Sequence, residues 1–270
     1  MIYTTVFSVT AMGIICATVL CVASKLMYVK TDERVAKLIE ALPGVNCGAC
    51  GYPGCSGYAA ALLSGGTSQI NLCTPGGAEV MAKLSAILGV EAGSMEKKTA
   101  VVKCLGDCAS QKKKMDYMGI QSCAGAKQLY GGEGACAFGC LGYGDCQKAC
   151  PSGAICTEDD LARVIAGLCT GCGLCVKSCP NNLIAVENAS LPGSAAPVFV
   201  LCKNIEKGAV TRKKCAKGCI ACGKCARECS AQAITMADNL AVINYGKCTG
   251  CGHCAQVCVS KCIQSTYRSA

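Results

Sequence analysis

Residues 169–180 read CTGCGLCVKSCP, so four cysteines follow the spacing Cys-x2-Cys-x2-Cys-x3-Cys and a proline comes directly after the last of them. Upstream, residues 136–155 read CAFGCLGYGDCQKACPSGAI and also end a cysteine series in Cys-Pro. Where cysteines take this spacing, three thiolates hold one [4Fe-4S] cubane and the fourth reaches a neighbouring cubane. Together the two stretches therefore predict a small unit that holds two iron-sulfur clusters.

The same unit is repeated 79 residues further along the chain, and 21 of the 49 positions aligned from Cys136 to Ile184 are identical. The aligned cysteines are Cys136, Cys140, Cys146, Cys150, Cys169, Cys172, Cys175 and Cys179 in the first copy and Cys215, Cys219, Cys225, Cys229, Cys248, Cys251, Cys254 and Cys258 in the second. Such a repeat implies two copies of one supersecondary unit. We therefore predict two tandem bacterial-ferredoxin-like 2[4Fe-4S] units, each a pseudo-twofold α+β fold.

The first copy departs from the ferredoxin spacing at one ligand, because Tyr143 stands where the second copy has Cys222. Cys136 is the natural substitute for the missing thiolate. The four ligand sets predicted are Cys136, Cys140, Cys146 and Cys179; Cys169, Cys172, Cys175 and Cys150; Cys219, Cys222, Cys225 and Cys258; and Cys248, Cys251, Cys254 and Cys229.

A separate cysteine group precedes the repeats, in the stretch NCGACGYPGC at residues 46–55. Its glycines let the backbone wrap closely around a bulky cluster, which favours one self-contained cubane over the alternative of a zinc knuckle. The predicted ligands are Cys47, Cys50, Cys55 and Cys73. Helical spacing predicts a helix capped by Thr31 before this group and a helix over residues 77–88, ended by Gly89, after it.

Three more cysteines, Cys104, Cys108 and Cys123, lie between this group and the repeats. Three thiols do not complete a cubane, and two interpretations stay open. A sixth cluster could take a fourth ligand from Cys202 or Cys215, or the thiols could be unused. Cys202 resembles Cys104 in context, because each ends a Val-containing strand before a ferredoxin-like unit, although their offset is not that of the repeat.

Five other cysteines belong to none of the five predicted clusters. Cys16 and Cys21 lie in an apolar segment and serve as small apolar residues, whereas Cys156, Cys215 and Cys262 are expected to be buried thiols. The single histidine, His253, is expected at the surface of its unit.

The first 24 residues carry no charged side chain and are long enough to cross a bilayer core of about 30 Å as a helix. Basic residues follow this segment at Lys25, Lys30 and Arg34, which argues against a cleaved signal peptide. By the positive-inside rule the cysteine-rich body is cytoplasmic. We therefore predict a single-pass anchor in the cytoplasmic (inner) membrane.

Composition limits the other classes of function. The formal charge is +9, but each oxidised cubane with four thiolates carries about two negative charges, so five clusters bring the chain to about −1. The basic residues are thus interpreted as compensation for clusters, and no nucleic-acid partner is predicted. The chain has 29 cysteines, and four runs of them follow ferredoxin order, which argues against a disulfide scaffold. Neither a GxGxxG stretch nor a Ser, His and Asp set is found, so no catalytic residue is predicted.

The predicted class is α+β with an N-terminal transmembrane helix. The division of the chain is 1–28, transmembrane anchor; 29–92, small helical four-cysteine [4Fe-4S] module; 93–135, cysteine-containing linker; 136–190, ferredoxin-like unit 1; and 191–270, ferredoxin-like unit 2. At least five [4Fe-4S] clusters are expected.

The chain has three parts in a fixed order: a membrane helix, a four-cysteine module reading CGACGYPGC with a later Cys73, and the ferredoxin repeats. In this order of parts, the whole chain resembles the B subunits of Rnf complexes. These complexes are membrane ferredoxin:NAD oxidoreductases that couple electron flow to sodium or proton export. The resemblance implies a component of an ion-translocating oxidoreductase, without a complete active site of its own. It would accept electrons from reduced ferredoxin and pass them, through the cluster of the four-cysteine module, to the membrane subunits.

Two rival classes remain at this point. One is a membrane-tethered polyferredoxin that serves another complex, such as a hydrogenase. The other is a structural zinc protein with no redox role.

Overall fold

The structure is a computed structural model that describes residues 2–26, 32–91, 93, 97–189, 191 and 197–265. Its helices are α1 (Ile2–Leu26), α2 (Glu33–Ala41), α3 (Gly54–Leu63), α4 (Gly77–Leu88), α5 (Cys123–Gln128), α6 (Asp145–Lys148), α7 (Leu174–Ser178), α8 (Gly208–Lys214), α9 (Lys224–Arg227) and α10 (His253–Val257). Its strands are β1 (Lys98–Val102), β2 (Ile155–Glu158), β3 (Leu161–Val164), β4 (Ile184–Asn188), β5 (Val198–Val200), β6 (Ile234–Ala237), β7 (Leu240–Ile243) and β8 (Ile263–Ser265).

Helix α1 is built from apolar residues that pack against nothing else in the described chain. Its segment Val6–Lys25 has a mean hydropathy of 2.3 and no buried residue, and among the described residues it is the one helix long and apolar enough to cross a membrane. Cys16 and Cys21 are exposed on this helix. An exposed apolar surface of this kind is stable in lipid but not in water.

Helices α2, α3 and α4 form the small module around the first cysteine group. Their shared core contains the fully buried side chains Leu38, Tyr58 and Leu84. Asp32 caps α2 by accepting a hydrogen bond from the Arg34 amide; the predicted cap, Thr31, lies outside the described residues. Helix α4 has the predicted bounds and ends at Gly89, whose positive φ of 68° suits glycine.

The two ferredoxin-like units have the same elements in the same order. In the first, β2 and β3 form an antiparallel hairpin between α6 and α7; in the second, β6 and β7 do the same between α9 and α10. Each of these elements begins 79 residues after its counterpart, as the sequence repeat predicts. Each of these four short helices is preceded by a glycine whose φ lies between 67° and 74°. This backbone conformation lets the chain turn sharply beside each group of thiols.

Each unit is closed by a second antiparallel pair. Strand β1 pairs with β4, with Val102 opposite Ile184, and β5 pairs with β8, with Val200 opposite Ile263. Strand β1 lies in the region 93–135 that the sequence predicts to be a linker, so part of that region belongs to the first unit. Val102 and Val200 are equivalent in register, so the segments that follow them can be compared. The segment between Val102 and α6 in the first unit is longer than the segment between Val200 and α9 in the second.

The units also contact one another and the four-cysteine module. Val101, Phe199 and Leu201, from β1, β5 and the residue after β5, share one small core between the units. The Lys177 ammonium on α7 donates a hydrogen bond of 3.1 Å to the Cys47 carbonyl, which ties the first unit to the module. The first unit is therefore in contact with both the four-cysteine module and the second unit.

Candidate metal centres

The first group of thiols lies in the four-cysteine module, between α3 and the loops that flank it. The Asn46 side chain accepts a hydrogen bond of 2.8 Å from the Cys55 amide, which fixes the two loops to one another. Burial raises the pKa of the Cys73 thiol, and three thiols of the group raise it further: Cys55, Cys47 and Cys50. All four predicted ligands are thus neighbours.

The second group is formed by the C-terminal half of unit 1. Burial raises the pKa of the Cys175 thiol to about 11, and three neighbours add to the effect: Cys169, Cys172 and Cys150. The Ala100 amide of β1 donates a hydrogen bond of 3.3 Å to the Cys169 sulfur. These are the four thiols predicted from the sequence to act together.

The third group differs from the prediction. A cavity of about 350 Å³ in unit 1 is lined by the four thiols of Cys123, Cys140, Cys146 and Cys179. Burial raises the pKa of the Cys146 thiol to about 12, with contributions from other thiols of this group. Cys136, the predicted substitute for the missing ligand, does not line this cavity; Cys123 occupies its place.

Cys123 reaches this position because two hydrogen bonds fix the N-terminal end of its helix, α5. The Ser122 side chain accepts a hydrogen bond from the Gly125 amide and so caps α5, and the Ala124 amide donates a bond of 3.0 Å to the Asp145 carboxylate at the start of α6. Cys123 is therefore beside Cys146. Tyr143, which stands where unit 2 has its middle cysteine, packs against this same small core.

Unit 2 holds the fourth and fifth groups as predicted. Burial raises the pKa of the Cys225 thiol to about 11, with contributions from Cys219, Cys258 and Cys222. Burial likewise raises the pKa of the Cys254 thiol, with contributions from Cys248, Cys251 and Cys229.

Cys262 is buried, as expected, and lies beside a thiol of the fourth group. The Cys262 sulfur is 3.6 Å from the Cys258 sulfur, and its thiol hydrogen bond lowers the pKa of Cys258 to about 5. Cys156 is only half-buried and its thiol contacts the Arg163 carbonyl. His253 is half-exposed at 3.8 Å from the Glu228 carboxylate, which agrees with its predicted surface position.

Four remaining thiols meet between the two units. Cys104, Cys136, Cys202 and Cys215 all line one cavity of about 330 Å³. The sequence predicts Cys136 to belong to the third group, but its thiol lines this cavity instead. For Cys215 the sequence leaves two interpretations open, a buried thiol or the fourth ligand of a sixth cluster, and this thiol is buried beside the same cavity. Cys108 is exposed and lines neither this cavity nor that of the third group.

Each group brings four thiols together, which is the number that one cubane requires. Within the described parts of the chain, no three or more His, Cys, Asp or Glu side chains are close enough to hold one metal ion. A zinc site would require four thiolates at about 2.3 Å from one centre. Buried thiols with raised pKa values ionise only when a cation compensates their charge, and the iron of a cubane does this while keeping its thiolates further apart.

Comparison with known protein families locates the same regions. The Fe-S cluster family matches residues 42–75, the 4Fe-4S binding domain matches residues 162–185, and the 4Fe-4S dicluster domain matches residues 218–262. The chain thus contains an Fe-S module, two 4Fe-4S ferredoxin domains and an apolar N-terminal helix that is a candidate membrane span.

Similar proteins cover nearly the whole chain. The B subunit of the Na⁺-translocating ferredoxin:NAD⁺ oxidoreductase complex of Acetobacterium woodii is 42% identical over 87% of this chain and 69% of its own length. The B subunit of the proton-translocating ferredoxin:NAD⁺ oxidoreductase complex of Clostridium ljungdahlii is 39% identical over 88% of this chain and 83% of its own. The B subunit of the ion-translocating oxidoreductase complex of Methanosarcina acetivorans is 35% identical over 88% of each chain.

Proposed function

The chain belongs to the family of B subunits of ion-translocating ferredoxin:NAD oxidoreductase (Rnf) complexes, and from this we propose that it is a membrane-anchored, multi-cluster electron-transfer subunit. It accepts electrons from reduced ferredoxin and relays them to the membrane subunits of such a complex. The observation that carries the proposal is the series of five four-thiol groups that runs from the four-cysteine module after α1 to the second ferredoxin-like unit. Catalysis belongs to the complex, because this chain offers thiols and a path rather than an active site.

The proposed ligands follow the grouping of the thiols. Five [4Fe-4S] clusters are held by Cys47, Cys50, Cys55 and Cys73; by Cys150, Cys169, Cys172 and Cys175; by Cys123, Cys140, Cys146 and Cys179; by Cys219, Cys222, Cys225 and Cys258; and by Cys229, Cys248, Cys251 and Cys254. When bound, each cluster supplies one-electron redox chemistry. The chain positions the thiolates and donates main-chain hydrogen bonds to the sulfurs, as the Ala100, Ala154 and Ala233 amides do.

The direction of the relay is proposed from the order of the elements along the chain and from one contact. Helix α1 leads through α2 into the four-cysteine module, so that module is the exit toward the membrane. The hydrogen bond between Lys177 and the Cys47 carbonyl sets the module beside the helix of unit 1 that carries Cys175, a member of the second thiol group. Electrons that enter at unit 2 therefore pass through unit 1 before they reach the exit cluster.

The membrane arrangement is proposed from charge. The anchor is a single pass through the cytoplasmic membrane, with the cysteine-rich body on the cytoplasmic side, because Lys25 ends the apolar segment and Arg34 follows it.

Metal content tests the proposed function. The protein purified anaerobically in detergent should contain at least about 20 irons and matching acid-labile sulfide per chain, since five cubanes require four of each. Its clusters should be reduced when reduced ferredoxin is added. Zinc with little sulfide, or bound clusters that reduced ferredoxin leaves oxidised, would contradict the proposal.

The docking site for ferredoxin is proposed to lie on the basic surface of α8. Arg212 and Lys213 are exposed there, whereas Lys214 is neutralised by its salt bridge with Glu206. Soluble ferredoxins are acidic, and opposite fields increase encounter rates most strongly at low salt.

Charge reversal tests this surface. The double variant Arg212→Glu and Lys213→Glu should be reduced by ferredoxin about 10-fold more slowly at low ionic strength, with a flatter salt dependence. Reduction by a small neutral donor should be unchanged. Lys37→Glu with Lys83→Glu, the same charge change on the four-cysteine module, is the control. Equal ferredoxin rates in both double variants would locate the docking surface elsewhere.

A further inference from the structure

The thiol group between the two units is assigned by neither the family matches nor the ferredoxin spacing. Two of its members, Cys104 and Cys136, come from the first unit, and the other two, Cys202 and Cys215, come from the second. The group is therefore complete only when the units are docked.

Two of these sulfurs, which come from different units, lie close to the same glycine. A Cβ atom added to Gly106 would lie 3.4 Å from the Cys215 sulfur and 3.6 Å from the Cys104 sulfur, so a glycine here leaves room between sulfurs of different units. The Asn204 side chain, which is 1% exposed, donates a hydrogen bond of 3.5 Å to the Cys136 sulfur. Cys136 and Cys215 are both buried.

The group has the pseudo-twofold symmetry of the units themselves. Because Val102 and Val200 are equivalent in the sheets, Cys104 and Cys202 are equivalent, each two residues further along. The sequence repeat makes Cys136 and Cys215 the second equivalent pair.

The hydrogen bonds repeat this symmetry. The Cys140 amide donates to the Cys104 sulfur at 3.5 Å, and the Cys219 amide, its counterpart in the repeat, donates to the Cys202 sulfur at 3.3 Å. Main-chain amides directed at cysteine sulfurs are what an iron-sulfur cluster needs to stabilise its negative charge.

Charge also fits this ligand. Lys103, Lys203 and Lys217 line the cavity. Lys103 and Lys217 are paired with Glu187 and Asp107, and the positive charge of Lys203 suits a cubane with four thiolates, which is anionic. Lys217 also forms a salt bridge with Asp107 and holds the pKa of that carboxyl at about 2, with help from Ser110, so the loops that carry Cys104 and Cys215 are tied together.

We propose that Cys104, Cys136, Cys202 and Cys215 hold a sixth [4Fe-4S] cluster that carries electrons from the second ferredoxin-like unit to the first. The proposal rests on the relay proposed above. One electron arrives from the reduced cubane of Cys219, Cys222, Cys225 and Cys258, and one leaves to the oxidised cubane of Cys123, Cys140, Cys146 and Cys179. No bond or proton changes, and reduced ferredoxin is the source of the electron.

The hydrogen bonds from the Cys140 and Cys219 amides explain why the sixth cluster would connect the two units. Cys140 and Cys219 are each a ligand of a neighbouring cluster, and the amide of each donates to a sulfur of the sixth group. One residue on each side therefore connects the sixth cluster to a neighbouring cubane: Cys140 in the first unit and Cys219 in the second. The third and fourth thiol groups have no comparable direct bond among the described contacts.

Iron counting on the full-length holoprotein tests the proposal without any variant. The sixth cluster predicts about 24 irons and 24 sulfides per chain, whereas the proposed function alone predicts about 20 of each. A count of about 20 would overturn the sixth cluster and leave the relay intact, and a protein without sulfide would overturn both. One zinc bound in addition to about 20 irons would also overturn the sixth cluster.

Variants then locate the cluster. Cys104→Ala and Cys202→Ala should each lose four irons and four sulfides, and each should keep the other clusters reducible by dithionite. Cys108→Ala, an exposed neighbour in the same loop, should lose none. A full iron count in both variants would overturn the assignment, and if they fail to fold, the wild-type count still decides.

A second readout addresses the buried amide. Asn204→Ala removes the hydrogen bond to the Cys136 sulfur, and a lost N–H···S bond destabilises the reduced cluster. In a redox titration followed by electron paramagnetic resonance, one cluster should therefore shift to a lower midpoint potential at an unchanged iron count. Six unchanged potentials would contradict the location on Cys136.

Discussion

Replacing Cys55 by alanine is expected to stop electron delivery from this chain to the membrane subunits. Cys55 belongs to the thiol group of the four-cysteine module, which follows directly on the anchor. Loss of one of four thiolates should remove that cubane, and with it four irons, while the clusters of both ferredoxin-like units stay in place. Ferredoxin-driven NAD reduction by the assembled complex should fall to the background rate, and reduction of the remaining clusters by ferredoxin should continue.

The matched control is Ser56→Ala, one position further along α3, where the side chain is exposed. It should keep the wild-type iron count and the wild-type rate. If the Cys55→Ala complex lost four irons and still reduced NAD at a normal rate, this cluster would not be the exit, and the order of the relay would have to be reversed.

The repeat can be recognised in the sequence because metal ligation ties function to spacing. Cysteines that share a cubane must return at fixed intervals around short turns, so the offset of 79 residues also predicts the positions of the hairpins and short helices. Four of the five predicted ligand sets are therefore gathered in the structure as the spacing implies.

The remaining set does not follow from spacing, because the thiol that completes it, Cys123, lies outside the repeated stretch that begins at Cys136. Cys123 and Cys136 both precede Cys140, and Cys136 is nearer in sequence. The position of Cys123 is determined by α5, whose first turn bonds to Asp145, and this tertiary contact has no local signature. The one available signal is length: 32 positions separate Cys104 from Cys136, but only 13 separate Cys202 from Cys215.

The extra segment in unit 1 accounts for the departure at Tyr143. It brings Cys123 to the place that the middle cysteine of the motif fills in unit 2, so the motif can accept another residue there. Tyr143 now packs edge-on against Tyr117 of the inserted segment, with ring centres 5.6 Å apart. We therefore propose that the inserted segment supplies the thiolate that the motif lacks at Tyr143.

This relation predicts a loss that a second substitution repairs. Cys123→Ala should remove the cubane of the third thiol group, with four of the irons, and interrupt transfer from the inter-unit site toward the exit. Adding Tyr143→Cys places a thiol where Cys222 lies in the other unit, so the double variant should recover the four irons and their reducibility.

Iron and sulfide analysis, with electron paramagnetic resonance of the dithionite-reduced protein, measures both steps of this prediction. Tyr143→Cys alone should keep the wild-type count, since it adds a thiol to a complete site, and Cys108→Ala in the same inserted segment should have no effect. Retention of all irons by Cys123→Ala would show that Cys123 is not a ligand and would return Cys136 to that role. Recovery by the double variant has a simple physical basis: a cubane requires four thiolates at its corners, and the chain can supply the fourth either from the motif or from an insertion that folds back onto it.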